Sequence, residues 1–260
     1  MIECKQIIIN DLLINYYFLG EEDNKKNIIF LHGWRSESSV WFDIMKSLSK
    51  AEEYNLFAID LPGFGKTQVP QHSLSIAGYA GIVLQFIEKL KVKGHIILIG
   101  HSFGGAVSIK FATDYQDTIS QLVLIDSSGV RITNLSRKAG LQIKKLIAKL
   151  VKPFFKPRFM QPLRKQIYKR FVNSDYVESE YIKVTYINVI SEDLSPLFPA
   201  IKCPTLLFWG EKDQDTPLWM GELMHEKIND SKLIILKDVG HYSFLEKKKE
   251  FIVALKEFIT

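Results

Sequence analysis

The sequence predicts an α/β fold: a doubly wound, mostly parallel sheet with helices on both faces. Three observations lead there. Short apolar runs of four to six residues recur along the 260-residue chain, and helical patterns separate them. Each run is apolar at every position rather than at alternate ones, which is the pattern of a strand buried on both faces. Most of the runs also stop at a Gly or Asp, where a chain leaving the carboxyl edge of a sheet must turn. Strand–helix alternation of this kind implies right-handed crossovers within one sheet.

The elements follow in order. Segments near 5–9 and 12–19 alternate apolar and polar residues more than the rest and resemble an antiparallel edge hairpin. Residues 28–31 form an apolar run that ends at His32-Gly33, and a helical pattern covers 39–50. The run 56–59 ends at Asp60, before the turn Pro62-Gly63-Phe64-Gly65, and a helix is expected over 75–90. Residues 96–99 run into Gly100, followed by a helical pattern over 103–114, and 122–125 run into Asp126. The alternation then breaks between 130 and 198, a stretch helical by pattern but holding Pro153, Pro157, Pro162 and Pro196, with Pro199 just after it. It reads as an insertion between two strands. Strands at 205–209 and 233–236 and helices at 217–228 and 246–258 complete the chain, with Pro217 suited to a first helical turn, where its missing N–H costs little. The division expected is a core of 1–129 and 199–260 with an inserted unit of 130–198.

Composition excludes several classes. Apolar residues make up 47% of the chain and charged residues 24%, which rules out a disordered tail, a collagen or a coiled coil. Cys4 and Cys203 stand alone, so neither a CxxC redox site nor a Cys-rich zinc site is expected, and a reducing compartment suits the chain. The N-terminal segment has an acid ahead of a three-residue apolar run, unlike a secretory signal, and no apolar stretch approaches 18 residues. A soluble, cytoplasmic protein is the expectation.

Net charge is +5, yet residues 137–170 hold twelve Lys or Arg and no acid, leaving −7 on the remainder. Lys outnumbers Arg 28 to 6, a bias that explains the choice of base but not the missing acids. Within that stretch Ile143, Leu146, Ile147, Leu150 and Val151 keep the spacing of an amphipathic helix, with Phe154, Phe155 and Phe159 after it. Packing of this stripe on the core is the plainer expectation, and weak association with an anionic membrane surface, or a preference for an anionic substrate, is the sharper one. No nucleic-acid recognition motif is present.

The chemistry concentrates at Gly100-His101-Ser102-Phe103-Gly104, followed by Gly105. This fits G-x-S-x-G between a strand and a helix, a sharp turn that points a serine Oγ into the crevice while the glycines remove Cβ atoms that would collide. A serine needs a base to take its proton. Of His32, His72, His95, His101, His225 and His241, only His241 lies in the loop after the last strand, on the same sheet edge as Ser102. His32 suits a turn-stabilising role and His225 falls mid-helix. The base in turn needs an acid, and Asp126, Asp213 and Asp215 all lie at that edge. An oxyanion also needs donors, for which the backbone N–H groups of Phe103 and of Trp34, in the loop after the third strand, are placed.

These motifs together resemble the α/β-hydrolase superfamily. His32-Gly33-Trp34 is similar to its oxyanion segment, and residues 60–67 to its D-x-x-G-x-G-x-S turn, with Thr67 in place of Ser. Residues 100–105 match the nucleophile elbow, Gly210 through Pro217 the G-x-x-D-x-x-x-P segment, and Gly240-His241 with Glu246 the terminal one. The resemblance implies an eight-stranded sheet with a helical cap at 130–198 inserted after the sixth strand. It also implies a triad of Ser102, His241 and Asp213, no metal or organic cofactor, and a small-molecule acyl substrate. Ester hydrolysis is the activity it suggests first, with C–C bond hydrolysis, iminopeptidase or acyl-transfer chemistry, or a slow-turnover receptor, as alternatives.

Overall fold

A computed structural model describes residues 1–21, 26–49, 54–131 and 180–259. Its strands are β1 (Glu3–Ile9), β2 (Leu12–Leu19), β3 (Lys26–Leu31), β4 (Tyr54–Ile59), β5 (His95–His101), β6 (Gln121–Ile125), β7 (Thr205–Gly210) and β8 (Ser231–Leu236). They form one eight-stranded sheet in the order β1-β2-β4-β3-β5-β6-β7-β8. The pairs β1–β2 and β2–β4 are antiparallel and all others parallel.

Side-chain alternation explains why the central runs are apolar throughout. Ile29 and Leu31, Leu98, Leu122 and Leu124, and Leu207 and Trp209 enter one core. Their neighbours Ile28 and Phe30, Ile97 and Ile99, Val123 and Ile125, and Leu206 and Phe208 enter a second core on the opposite face. Successive residues point to opposite faces, so a strand covered on both sides has no position where water is met. Each such side chain contributes about 1.5–3 kcal/mol relative to exposure. The edge strands differ: the first four residues of β1 are exposed, and β8 is only partly covered.

Seven α-helices are described: α1 (Phe42–Leu48), α2 (Ile76–Lys89), α3 (Phe103–Asp114), α4 (Glu180–Ser191), α5 (Trp219–Lys227), α6 (Ser243–Glu246) and α7 (Lys248–Ile259). Helices α2, α3 and α5 supply the first core, through side chains such as Phe86, Phe111 and Met224. The second core is closed by α1 and α7, through Ile44, Leu48, Phe251 and Leu255. The Ser75 hydroxyl accepts the Gly78 N–H at 3.1 Å and caps α2, a contact whose loss costs about 1 kcal/mol.

Two helix starts differ from expectation. Pro217 stands outside α5, whose N-cap is Leu218, and its carbonyl accepts the Met220 N–H at 2.8 Å. Helix α7 starts at Lys248 because a separate turn, α6, follows the loop of His241. Of the expected insertion, 132–179 lies outside the described residues, with the basic run 137–170, the amphipathic stripe and three of its prolines. Its described end is α4 and a 3-10 turn, Ser195–Ala200, which crosses the boundary expected at 198.

Helix α4 meets the core through a few contacts. Thr185 Oγ1 accepts the Leu74 N–H at 2.9 Å, and Ile182 occupies the space where Gly63 has no Cβ. No described helix is long and apolar enough to cross a membrane.

The chain passes from β3 outward to β4 and then returns to β5 on the other side of β3. Loops leaving the carboxyl ends of β3 and β5 therefore diverge, and a crevice opens between them. Leu31 pairs in register with Gly100, so the loops that begin at His32 and Ser102 start side by side.

Candidate active site

Ser102 sits at the tip of the β5–α3 turn with φ 51° and ψ −114°, a conformation side chains rarely adopt. The turn is held by its own backbone. The Ser102 N–H donates to the Ile125 carbonyl at 3.0 Å, and the Ser102 carbonyl accepts from Gly105, Ala106 and Ser128 N–H groups at 3.0, 3.2 and 3.0 Å. The Ser128 hydroxyl donates to the same oxygen at 3.0 Å. Glycine is required on both sides: a Cβ at Gly100 would lie 2.4 Å from the Gly104 carbonyl oxygen, and one at Gly104 would lie 2.3 Å from that of Leu31.

His241 Nε2 lies 2.9 Å from Ser102 Oγ, and Nδ1 lies 2.8 Å from Asp213 Oδ2. The three side chains thus form one hydrogen-bonded chain from residues carried by the loops after β5, β7 and β8. Asp213 is itself fixed: its Oδ1 accepts the N–H groups of Asp215 and Thr216 at 2.8 and 3.1 Å. Thr216 Oγ1 stands 2.7 Å from Asp213 Oδ2, 3.2 Å from His241 Nδ1 and 2.8 Å from the Asp126 carbonyl oxygen. Burial opposes a charge on His241, but the Asp213 hydrogen bond and charge outweigh it, helped by Asp126 and Asp215. The imidazole pKa is therefore held above its ordinary value.

The other sequence candidates take different places. Asp126 is fully buried, with Oδ1 accepting the Gly210 N–H at 2.8 Å and Oδ2 the Ser243 N–H at 3.0 Å. Burial and the charge of Asp213 push its pKa up to about 8, against the pull of His241 and the two N–H donors. Asp215 lines the crevice and gives its N–H to Asp213. His32 is buried, donating from Nδ1 to the Gly33 carbonyl at 2.8 Å and accepting the Leu61 N–H at Nε2 at 3.0 Å. Burial lowers its pKa, and it ties two loops together as the sequence suggested. His225 is exposed and bonds Ser231; His72 and His95 are exposed.

Trp34 lies in the turn closed by the Ser36 N–H to the Gly33 carbonyl at 3.2 Å, and its ring packs 5.2 Å from Phe103. Phe103 is the first residue of α3, so its N–H has no acceptor within the helix. Both N–H groups belong to the loops beside Ser102.

Thr216 and Ser128 had no sequence signal as contributors, and His101, one of the six candidate histidines, takes a place the sequence did not indicate. His101 Nε2 donates to the His241 carbonyl at 2.8 Å from a buried ring. Burial, and then the neighbouring His241, hold its pKa well below the ordinary value, so it acts as a neutral donor. Arg35 lines the crevice beside Trp34.

Among the described residues the crevice has two lobes. One, of about 490 Å3, holds Ser102 and His241 together with Trp34, Arg35, Phe103 and Tyr242. The other, of about 400 Å3, runs past Ala106 and Val130 to Ile76 and Met220. Ser128, Tyr186, Val189, Ile190, Asp215 and Thr216 border both. Volumes of this size suit small organic ligands. Among the described residues, the ligand atoms of Asp213, Asp215 and His241 lie within 4.8 Å of one another. A metal there would have to displace the His241–Asp213 hydrogen bond.

Comparison with known proteins bears on both family and fold. The model of the alpha/beta hydrolase family matches residues 28–255. The chain is 26% identical to mouse monoacylglycerol lipase ABHD6 over 268 residues, covering 94% of this chain and 79% of that protein. It is 26% identical to Lipase 1 of Psychrobacter immobilis over 249 residues, covering 89% and 76%. A thermophilic esterase from Thermogutta terrifontis superposes with TM-score 0.79 at 22% identity, covering 99% of this chain and 98% of that one.

Proposed function

The chain belongs to the alpha/beta hydrolase family, and from that premise we propose that it is a serine hydrolase that cleaves carboxylic esters. The observation that carries this reading is the unbroken hydrogen-bonded chain from Ser102 Oγ through His241 to Asp213. Relatives whose names are lipase support the ester as the bond attacked.

In this mechanism His241 Nε2 takes the Ser102 proton as Oγ attacks the ester carbonyl. Asp213, accepting from Nδ1, keeps the imidazole in the tautomer whose Nε2 lone pair faces the serine and then stabilises the imidazolium. The N–H groups of Phe103 and Trp34 receive the charge that grows on the carbonyl oxygen. Because these donors are main-chain and fixed before reaction, they need no reorganisation; one such donor is worth about 3–4 kcal/mol where measured. His241 then protonates the leaving alcohol, and later activates the water that releases the acid from Ser102. A cytoplasmic enzyme acting on a small-molecule ester is the setting we assign, and fractionation of cells expressing the tagged protein tests it.

The test of the chemistry is hydrolysis of p-nitrophenyl esters from acetate to laurate by wild type and Ser102→Ala. Wild-type turnover lost in the variant by about a millionfold, the scale seen for a protease serine, is the expected result. Turnover of no ester by either protein overturns the reading and turns attention to C–C bonds, amides or a bound signal.

A further inference from the structure

Proton transfer needs His241 Nε2 to stay within reach of Ser102 Oγ, yet the two side chains stand on separate loops. Several contacts pin the loop of the base. The Val239 carbonyl accepts the Lys212 N–H at 2.8 Å, Glu246 Oε1 accepts the Gly240 N–H at 3.2 Å, and Asp126 Oδ2 accepts the Ser243 N–H at 3.0 Å. A fourth holds His241 itself, whose carbonyl accepts from His101 Nε2 at 2.8 Å. Of these four, only His101 is bonded directly to the nucleophile. One peptide link and one hydrogen bond therefore lead from Ser102 to the backbone of its base.

The His101 ring is confined on several sides. It is 1% exposed and packs 4.8 Å from the His241 ring and 5.0 Å from those of Tyr242 and Phe244. At its other nitrogen, a Cβ on Gly33 would come within 3.0 Å of Nδ1, so the loop of Trp34 limits it there. Burial, with His241 next to it, keeps the ring neutral, so it donates without setting a cation beside the imidazolium that His241 becomes. Nδ1 is buried and has no hydrogen-bond partner among the described residues. An unpaired buried acceptor costs stability and offsets part of what the Nε2 bond contributes. Stability alone therefore explains this histidine poorly.

We propose that His101 is a positioning residue: its Nε2–H fixes the backbone of His241 and with it the separation across which the Ser102 proton moves. The assignment rests on the serine-hydrolase reading and adds the part that sets the alignment.

The test compares His101→Leu, His101→Asn and His101→Gln with wild type. Three quantities are measured: p-nitrophenyl butyrate hydrolysis, the rate at which a fluorophosphonate labels Ser102, and Tm. Leucine removes the donor. Glutamine carries its amide nitrogen as many bonds from Cβ as Nε2 is, and asparagine carries it one bond short. His101→Leu should lose about a hundredfold in kcat and in labelling rate, the scale of a misplacement of about 1 Å, with KM nearly unchanged. Its Tm should move by no more than about 5 °C, because loss of Nδ1 offsets part of the lost bond. His101→Gln should regain most of both rates and His101→Asn little of either, a contrast that decides the matter should His101→Leu fail to fold. Rates in His101→Leu close to wild type, or equal losses in His101→Gln and His101→Asn, overturn the assignment with the ester reading intact. Labelling that follows the expected pattern while wild type hydrolyses no ester overturns the ester reading alone. Absence of labelling in wild type overturns both.

Discussion

The loops that follow β6 and β7 each present a buried aspartate at the same edge of the sheet, and the two residues do different work. Asp213 turns one oxygen toward its own loop and the other toward His241 Nδ1. Asp126 gives both oxygens to main-chain N–H groups, one at the end of β7 and one just past His241. A carboxylate with an oxygen left for an imidazole can support base chemistry, whereas one satisfied by backbone donors fastens loops. Thr216 joins the two, with its hydroxyl between the side chain of Asp213 and the carbonyl of Asp126.

The strongest way to break this contrast is Asp213→Asn. It keeps the shape but presents an amide to His241 and favours the wrong tautomer, so kcat should fall by about ten thousandfold, as in a serine protease. Tm should stay within a few degrees. Comparable loss in Asp126→Asn would erase the distinction. Thr216→Val is expected next, with about a tenfold drop in kcat and a Tm lower by about 5 °C, because the single hydroxyl proton shared between two buried acceptors is lost, at about 1–2 kcal/mol. Steady-state kinetics and a thermal melt decide it; a change confined to Tm would show that Thr216 serves the scaffold alone.

Asp126→Asn should change kcat by only a few-fold, since neither carboxyl oxygen bonds to the base. Its signature lies in stability against pH. The unfolded carboxyl releases its proton near pH 4, whereas the folded one holds it to about 8. Stability from this group therefore falls as pH rises through that window. Wild type should melt higher than Asp126→Asn at pH 5, by about 5 °C for a loss of about 2 kcal/mol, and the gap should narrow by pH 8. A gap that widens with pH contradicts the raised pKa.

The smallest effect sharpens the role of Asp213. In the proposed mechanism His241 must be neutral to accept the serine proton, so kcat/KM should rise with pH through the folded pKa of the imidazole. Asp213 is the chief cause holding that pKa up, and the wild-type midpoint should lie above about 6.5. In Asp213→Asn, burial remains without its opponent, and the midpoint should move below that value. A pH–rate profile of the residual activity reads it directly.

The comparison also marks what the sequence could tell. Strands buried on both faces leave a local signature, so residues 28–31, 56–59, 96–99 and 122–125 were legible, and 103–114 matched α3 at both ends. Ser102 and His241 followed from their places at strand ends. The roles of the aspartates did not follow from place, because Asp126 and Asp213 share one edge; only resemblance favoured Asp213, whose Oδ2 lies 2.8 Å from His241 Nδ1. Thr216 reaches across 90 positions to Asp126, and His101 across 140 to His241. Bonds of that kind have no period or spacing to read.

The order of the parts along the chain has a consequence for synthesis. Ser102 belongs to the β5–α3 turn, near the middle, while His241 is joined to it across 139 positions. A chain folding as it emerges from its N-terminal end can build the strained turn long before the imidazole exists. On the proposed mechanism, that hydroxyl remains an ordinary alcohol until residue 241 arrives. Under the same mechanism, a chain terminated before residue 241 lacks the base and should leave Ser102 unreactive.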